Sequence, residues 1–113
     1  MRVRQLFFAV IALLAVSCSS GTSSTPATNS PNTVSMSASQ FNPASITVTK
    51  GTTVTWKNDD AIVHTSTGDN SLWNTGDIGG GTSKSFTFTT IGTFTYFCKY
   101  HVSMGMRGTV IVK

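Results

Sequence analysis

The chain has 113 residues, with eight Lys and Arg, four Asp and Glu, and a formal net charge of +4 at pH 7. Such a length accommodates one small domain. The few basic residues form no cluster or stripe, so the composition gives no indication of nucleic-acid binding.

The first 17 residues predict an export signal. Arg2 and Arg4 precede an apolar run from Leu6 to Val16, and small residues follow. The run is too short for a comfortable transmembrane helix, which needs about 20 residues. We therefore expect residues 1–17 to be removed on export, and the protein to work in the periplasm or at the outer cell surface.

Cys18 follows this apolar run in a segment, residues 14–18, that resembles a bacterial lipobox with Ala15 where leucine is preferred. Ordinary cleavage after small residues is the alternative. Residues 18–32 are rich in Ser, Thr and Pro and have too little apolar surface for a core, which is typical of a flexible linker. We expect a lipidated Cys18 to attach the chain to a membrane surface. A disulfide with Cys98, the other cysteine, is less favoured by the surroundings of the two residues.

Short runs of alternating apolar and polar residues occupy the rest of the chain, and each predicts a strand with one buried face. The runs lie at residues 46–48, 54–56, 86–88, 94–98 and 110–112. Turn-forming Gly, Pro, Asn and Asp residues separate them, and no stretch shows helical periodicity. We expect residues 33–113 to form an all-β domain, either a sandwich or a barrel. A domain this small, without an internal disulfide, would gain stability from a metal ion.

Residues that can bind copper are concentrated near the C terminus. Cys98, His101, Met104 and Met106 lie within nine residues, and the other histidine of the chain is His64. Two histidines, one cysteine and a weak axial methionine are the ligands of a type 1 copper site. Structural zinc sites favour four Cys and His ligands, and residues 33–113 contain three. A cysteine–histidine catalytic pair would lack an orienting third group. These residues favour copper and leave both methionines open as the fourth ligand.

Two separated segments resemble the cupredoxin superfamily, and specifically its small plastocyanin- and amicyanin-like blue copper proteins. Residues 41–60 resemble the family's first strands, which lead to the loop with the first copper histidine, here His64. Residues 92–98 resemble its penultimate strand, which ends in the thiolate ligand, here Cys98. The resemblance covers nearly all of residues 34–113. It implies an all-β Greek-key β-sandwich with the metal site at one end.

The resemblance also bears on the axial ligand. In plastocyanin-like proteins the methionine comes five residues after the second histidine, which selects Met106, whereas the shorter amicyanin-like loop selects Met104. Residues 106–110 match the Met-x-Gly-x-Val start of the family's last strand. We therefore expect the ligands to be His64, Cys98, His101 and Met106. Tyr100 stands where these proteins usually have proline, so it adds a backbone N–H near the thiolate that bears on the redox potential.

The implied activity is one-electron transfer by one copper ion that cycles between Cu(I) and Cu(II), with no substrate turned over. A protein electron donor and a protein acceptor would bind transiently, and we expect a monomer without a nucleic-acid partner. The main alternative is a copper carrier or storage protein that uses the same ligands without electron transfer. A second alternative is a structural or adhesion β domain without redox activity. An enzyme is disfavoured because the four ligands leave no obvious open coordination position.

Overall fold

The structure is a computed structural model that describes residues 32–113. The predicted export segment, Cys18 and nearly all of the predicted linker lie outside the described residues, so those predictions remain predictions. Within residues 32–113, no helix is long and apolar enough to cross a membrane.

Eight β-strands account for about half of the described chain. They are β1 (Thr33–Ser37), β2 (Gln40–Asn42), β3 (Ser45–Val48), β4 (Thr52–Asn58), β5 (Thr67–Gly68), β6 (Ser83–Phe88), β7 (Gly92–Phe97) and β8 (Arg107–Val112). A short 3₁₀ turn, Val102–Met104, lies between β7 and β8.

In the described chain the strands form two four-stranded sheets, with the orders β2-β1-β4-β6 and β3-β8-β7-β5. Both sheets are mixed, because β1 runs parallel to β4 and β3 runs parallel to β8 while their other neighbours are antiparallel. Most connections between successive strands cross from one sheet to the other. The predicted all-β, Greek-key β-sandwich of the cupredoxin type is confirmed.

The core lies between the inner faces of the two sheets. The first sheet contributes Val34, Met36, Val54, Trp56 and Phe88, and the second contributes Ile46, Val48, Tyr96, Val110 and Val112. Each of the five predicted alternating runs places side chains in this core, because successive residues of a strand point to opposite faces. Phe86 and Phe94 complete their runs but are only partly buried against it.

Trp73 joins the core from the connection between β5 and β6. Its ring is 4% exposed and stacks on the ring of Trp56, with centroids 5.8 Å apart and planes inclined by 19°. Gly68 of β5 makes room for this ring, since a Cβ there would lie 2.8 Å from it. Trp56 also packs edge-on against Tyr96, at 5.5 Å between centroids. Tyr96 lies two residues before Cys98 on β7, so the aromatic cluster supports the end of that strand.

Candidate metal centre

Cys98 follows the last residue of β7 and continues the inward-facing side of that strand. Tyr96 and Cys98 are both fully buried, as the alternation in the sequence predicts. The Cys98 N–H donates to the carbonyl of Met106 at 3.1 Å, immediately before β8 begins. The thiol therefore points into the interior from a backbone position that strand pairing holds in place.

The loop from Cys98 to Met106 turns back on itself through a series of short-range hydrogen bonds. The His101 N–H donates to the carbonyl of Cys98 at 3.2 Å, and the N–H groups of Met104 and Met106 both donate to the carbonyl of His101, at 2.9 and 3.2 Å. Gly105 has a φ of 84°, a left-handed conformation that glycine adopts without strain. These bonds bring His101 back toward Cys98 before β8 starts.

His64 comes from the separate connection between β4 and β5. Its main chain forms a two-bond antiparallel bridge with Ile78, at 3.1 and 2.7 Å. The fully buried side chain of Asn58, at the end of β4, donates to the carbonyls of Ile62 and Ile78 at 2.7 and 2.9 Å. These hydrogen bonds hold the loop in place. The His64 side chain is fully buried and lies at the same end of the sandwich as Cys98.

Three predicted ligand atoms meet at this end: the Nδ1 atoms of His64 and His101 and the Sγ atom of Cys98. The two Nδ1 atoms are 3.2 Å apart, and Sγ lies 3.7 Å from that of His64 and 3.5 Å from that of His101. The centre of this triangle is about 2 Å from each atom, which is close to the length of a metal–imidazole bond and slightly shorter than a metal–thiolate bond. Two imidazoles and one thiolate in a trigonal arrangement fit copper.

Met106 and Met104 differ sharply in burial. Met106 is fully buried, whereas 68% of Met104 is exposed. The main chain of Met106 bonds to Cys98 through its carbonyl and to His101 through its N–H. Met106 is thereby held beside the two ligands of its own loop, while Met104 lies at the surface. Burial and backbone contacts both favour Met106 as the fourth ligand.

Asp60 belongs to the site and was not predicted from the sequence. Its Oδ2 atom lies 2.8 Å from Nε2 of His64, and the carboxylate also accepts the N–H groups of Ala38 and Ser39 at 2.8 and 3.0 Å. The hydrogen bond with His64, followed by that with Ser39, holds the pKa of Asp60 below its ordinary value. The only signal in the sequence is that Asp60 precedes His64 by four residues. In a loop, that spacing does not show that two side chains meet.

The Cys98 sulfur accepts a backbone N–H from Thr65, at 3.4 Å. The Thr65 hydroxyl in turn accepts the N–H of Lys99 at 3.0 Å, which links the two ligand loops. The sequence predicts that the N–H of Tyr100 is a donor near the thiolate. Among residues 32–113, however, no hydrogen bond joins that N–H to the sulfur. The Tyr100 hydroxyl instead donates to Asp77 at 2.7 Å, and this bond raises the pKa of Tyr100.

Several known proteins are similar to this chain in sequence or in fold. The family model described as a cupredoxin-like domain matches residues 7–112. A plastocyanin from Scenedesmus fuscus is 34% identical over 84 residues, which span 65% of this chain and 86% of that protein. Among solved structures, a purple cupredoxin from Nitrosopumilus maritimus has a TM-score of 0.64 at 25% identity, covering 72% of this chain and 98% of that one. The Cu(I) form of an amicyanin variant has a TM-score of 0.66 at 26% identity, covering 77% and 86%.

The buried amide of Asn58 gives a testable prediction about the His64 loop. We expect Asn58→Ala to lower the free energy of unfolding of the metal-free protein by about 1–3 kcal/mol, because the carbonyls of Ile62 and Ile78 lose the donor supplied by a fully buried amide. Asn70 serves as the control, since it is exposed and makes one local bond, to the N–H of Leu72. Asn70→Ala should change the stability by about 0.5 kcal/mol or less. Denaturant titration measures both, and equal losses would contradict a special role for Asn58.

Proposed function

The chain belongs to the cupredoxin-like family, and from that premise we propose that it is a one-electron carrier with a single copper ion bound by His64, Cys98, His101 and Met106. The observation that carries the proposal is the triangle of Nδ1, Nδ1 and Sγ atoms with sides of 3.2–3.7 Å. Bound copper would supply a one-electron couple between Cu(I) and Cu(II). We propose no substrate and no enzymatic turnover, because these four side chains complete the ligand set.

The chemistry of the ligands suits both oxidation states. The thiolate of Cys98 is a soft donor that favours Cu(I), the thioether of Met106 is a weak axial donor, and the imidazoles are acceptable to Cu(I) and Cu(II) alike. His64, Cys98 and Met106 are fully buried, and hydrogen bonds within and between their loops hold them. A site held in this way keeps its ligand atoms in place when the charge of the metal changes. Small rearrangement favours fast electron exchange.

His101 is the predicted ligand that is partly exposed, so a redox partner would approach there. The neighbouring apolar side chains of Val102 and Met104 are 37% and 68% exposed. We propose that a protein donor and a protein acceptor dock in turn on this surface. Partners of this kind bind through small, transient interfaces, often below about 1,200 Å².

A copper carrier or storage protein is the competing function. Such a protein must release its metal readily to an acceptor. The present site gives little access to an incoming ligand, since His64, Cys98 and Met106 are fully buried and the loops are tied by backbone bonds. The described geometry therefore supports electron transfer over copper delivery.

We propose that the protein is exported and held at a membrane surface through lipidated Cys18. The support comes from the sequence: Arg2 and Arg4, the apolar run that follows them, and the Ser-, Thr- and Pro-rich residues 18–32.

The copper site is tested by loading the purified chain with Cu(II). We expect an intense blue or purple colour from thiolate-to-copper charge transfer, and Cys98→Ser should abolish it. Cys18→Ser is the matched control because it removes the other cysteine and should leave the colour unchanged. Optical and electron spin resonance spectra measure the outcome. A colourless, redox-silent wild-type protein in saturating copper would refute the proposal.

The choice of axial ligand is tested by two leucine variants. Met106→Leu removes a thioether donor that contributes to binding Cu(II), so it should raise the reduction potential and alter the spin-resonance spectrum. Met104→Leu should leave both nearly unchanged, since that side chain is at the surface. Voltammetry and spin resonance of the two variants provide the comparison. The reverse pattern would assign the axial position to Met104.

Membrane attachment is tested by cell fractionation of the full chain. Wild-type protein and Cys98→Ser should both sediment with membranes, whereas Cys18→Ser should appear in the soluble exported fraction. If Cys18→Ser stays with the membranes, lipidation of this residue is not the anchor.

A further inference from the structure

The carboxylate of Asp60 connects the metal centre to a turn of the first sheet that is far from Asp60 in the sequence. Oδ2 lies 2.8 Å from Nε2 of His64 and accepts the N–H of Ser39 at 3.0 Å, while Oδ1 accepts the N–H of Ala38 at 2.8 Å. The Asp60 N–H donates to the side chain of Asn58 at 2.8 Å. Both the backbone and the carboxylate of Asp60 are therefore fixed by contacts that do not involve a metal.

The turn that meets Asp60 has a backbone suited to holding an anion. Ala38 and Ser39, between β1 and β2, have φ angles of 53° and 56°, which non-glycine residues rarely adopt. Successive N–H groups in such a turn can point into one concavity and bind a negative charge. Here both N–H groups donate to the same carboxylate. The turn accordingly holds Asp60 in position against His64.

The hydrogen bond to Asp60 decides which nitrogen of His64 is available to a metal. A neutral imidazole that donates its Nε2–H to a carboxylate has an unprotonated Nδ1. The His64 side chain has no exposed surface, so water does not compete for the Nε2–H. The free Nδ1 then faces the Sγ of Cys98 and the Nδ1 of His101.

We propose that Asp60 is a positioning residue that acts through His64. It accepts the Nε2–H of His64, directs the unprotonated Nδ1 toward the other two ligand atoms, and by its negative charge favours Cu(II) over Cu(I). The hydrogen bond and the orientation of Nδ1 apply to the metal-free protein, whereas the preference for Cu(II) rests on the proposed electron-carrier function.

Asp59 provides a matched comparison for the charge. It is the next residue and carries the same carboxylate, but its oxygens contact Lys57 and Ser35 instead of a ligand. Removal of either carboxylate changes the net charge of the protein equally. Only the removal of Asp60 takes away a hydrogen bond to His64.

The first experiment uses the metal-free wild-type chain. Nitrogen-15 NMR of the histidine rings should show His64 protonated at Nε2, with a slowly exchanging proton, and unprotonated at Nδ1. A neutral His64 ring that carries its proton on Nδ1 would overturn the proposal, whatever the protein does with copper. This measurement needs no variant and is independent of the proposed function.

The second experiment compares Asp60→Asn with Asp59→Asn in copper-loaded protein. An asparagine replaces one acceptor by a donor, so it cannot serve His64 and both turn N–H groups together. We expect Asp60→Asn to shift the relative affinity for the two oxidation states about tenfold toward Cu(I). That change raises the reduction potential by about 59 mV for a one-electron couple.

The control variant decides what the shift means. Asp59→Asn should move the potential several-fold less, because that carboxylate does not touch a ligand. Equal shifts in the two variants would show a general effect of charge and overturn the positioning role. If wild-type protein takes up no copper, the electron-carrier function fails, and the NMR result still decides whether Asp60 orients His64.

Discussion

Two imidazole nitrogens and a thiol sulfur are held within 3.7 Å of one another and largely away from water. Each of these atoms carries a lone pair, so their mutual proximity stabilises little by itself. The rest of the structure must impose it. A hydrogen bond between the end of β7 and the start of β8 and the bridge between His64 and Ile78 hold the three side chains in these positions. A cation at the centre would compensate the crowding of donor atoms and so stabilise the fold.

The sandwich holds the three donor atoms close together because it places both connections that carry candidate ligands at one end. Cys98, His101 and Met106 belong to a single loop between adjacent antiparallel strands, and one reverse turn is enough to gather them. His64 lies between β4 of one sheet and β5 of the other, so it can join them only if the sheets pack correctly. The stacked rings of Trp56 and Trp73, with Tyr96 against them, fix that packing beneath the site. The geometry of the metal centre therefore depends on the packing of the core.

Around the ligands, neighbouring groups impose orientation and electrostatics. The N–H of Thr65 reaches the sulfur of Cys98, and the carboxylate of Asp60 reaches the distal nitrogen of His64. One contact places a donor near the thiolate and the other a negative charge near an imidazole. Hydrogen bonds at both positions are known means of tuning a metal site. The fold thus sets the hydrogen bonds and charges around the candidate ligands as well as their geometry.

The sequence by itself determined the strands that build the core and indicated the candidate ligands. Alternation places Trp56, Tyr96 and Val110 each on the buried face of its own strand, because the alternation of side chains along a strand is a local property. The spacing of Cys98, His101 and Met106 is likewise a property of one loop. Only the tertiary structure decided which groups surround the ligands. The two-residue strand β5 and the buried Trp73 carry no periodic signal, since their positions depend on contacts with other strands.

The choice between Met104 and Met106 and the contact of Asp60 with His64 likewise depend on the tertiary structure. The two methionines are chemically identical in the sequence, and burial of one and exposure of the other follow from the path of the loop against β8. Asp60 meets His64 because a turn more than twenty residues earlier in the chain supplies two N–H groups to its carboxylate. The candidate ligands, apart from the choice between the two methionines, were therefore readable from local residue type and spacing. The orientation and electrostatic environment of the ligands were not, because hydrogen bonds between distant segments exist only once the two sheets have packed together.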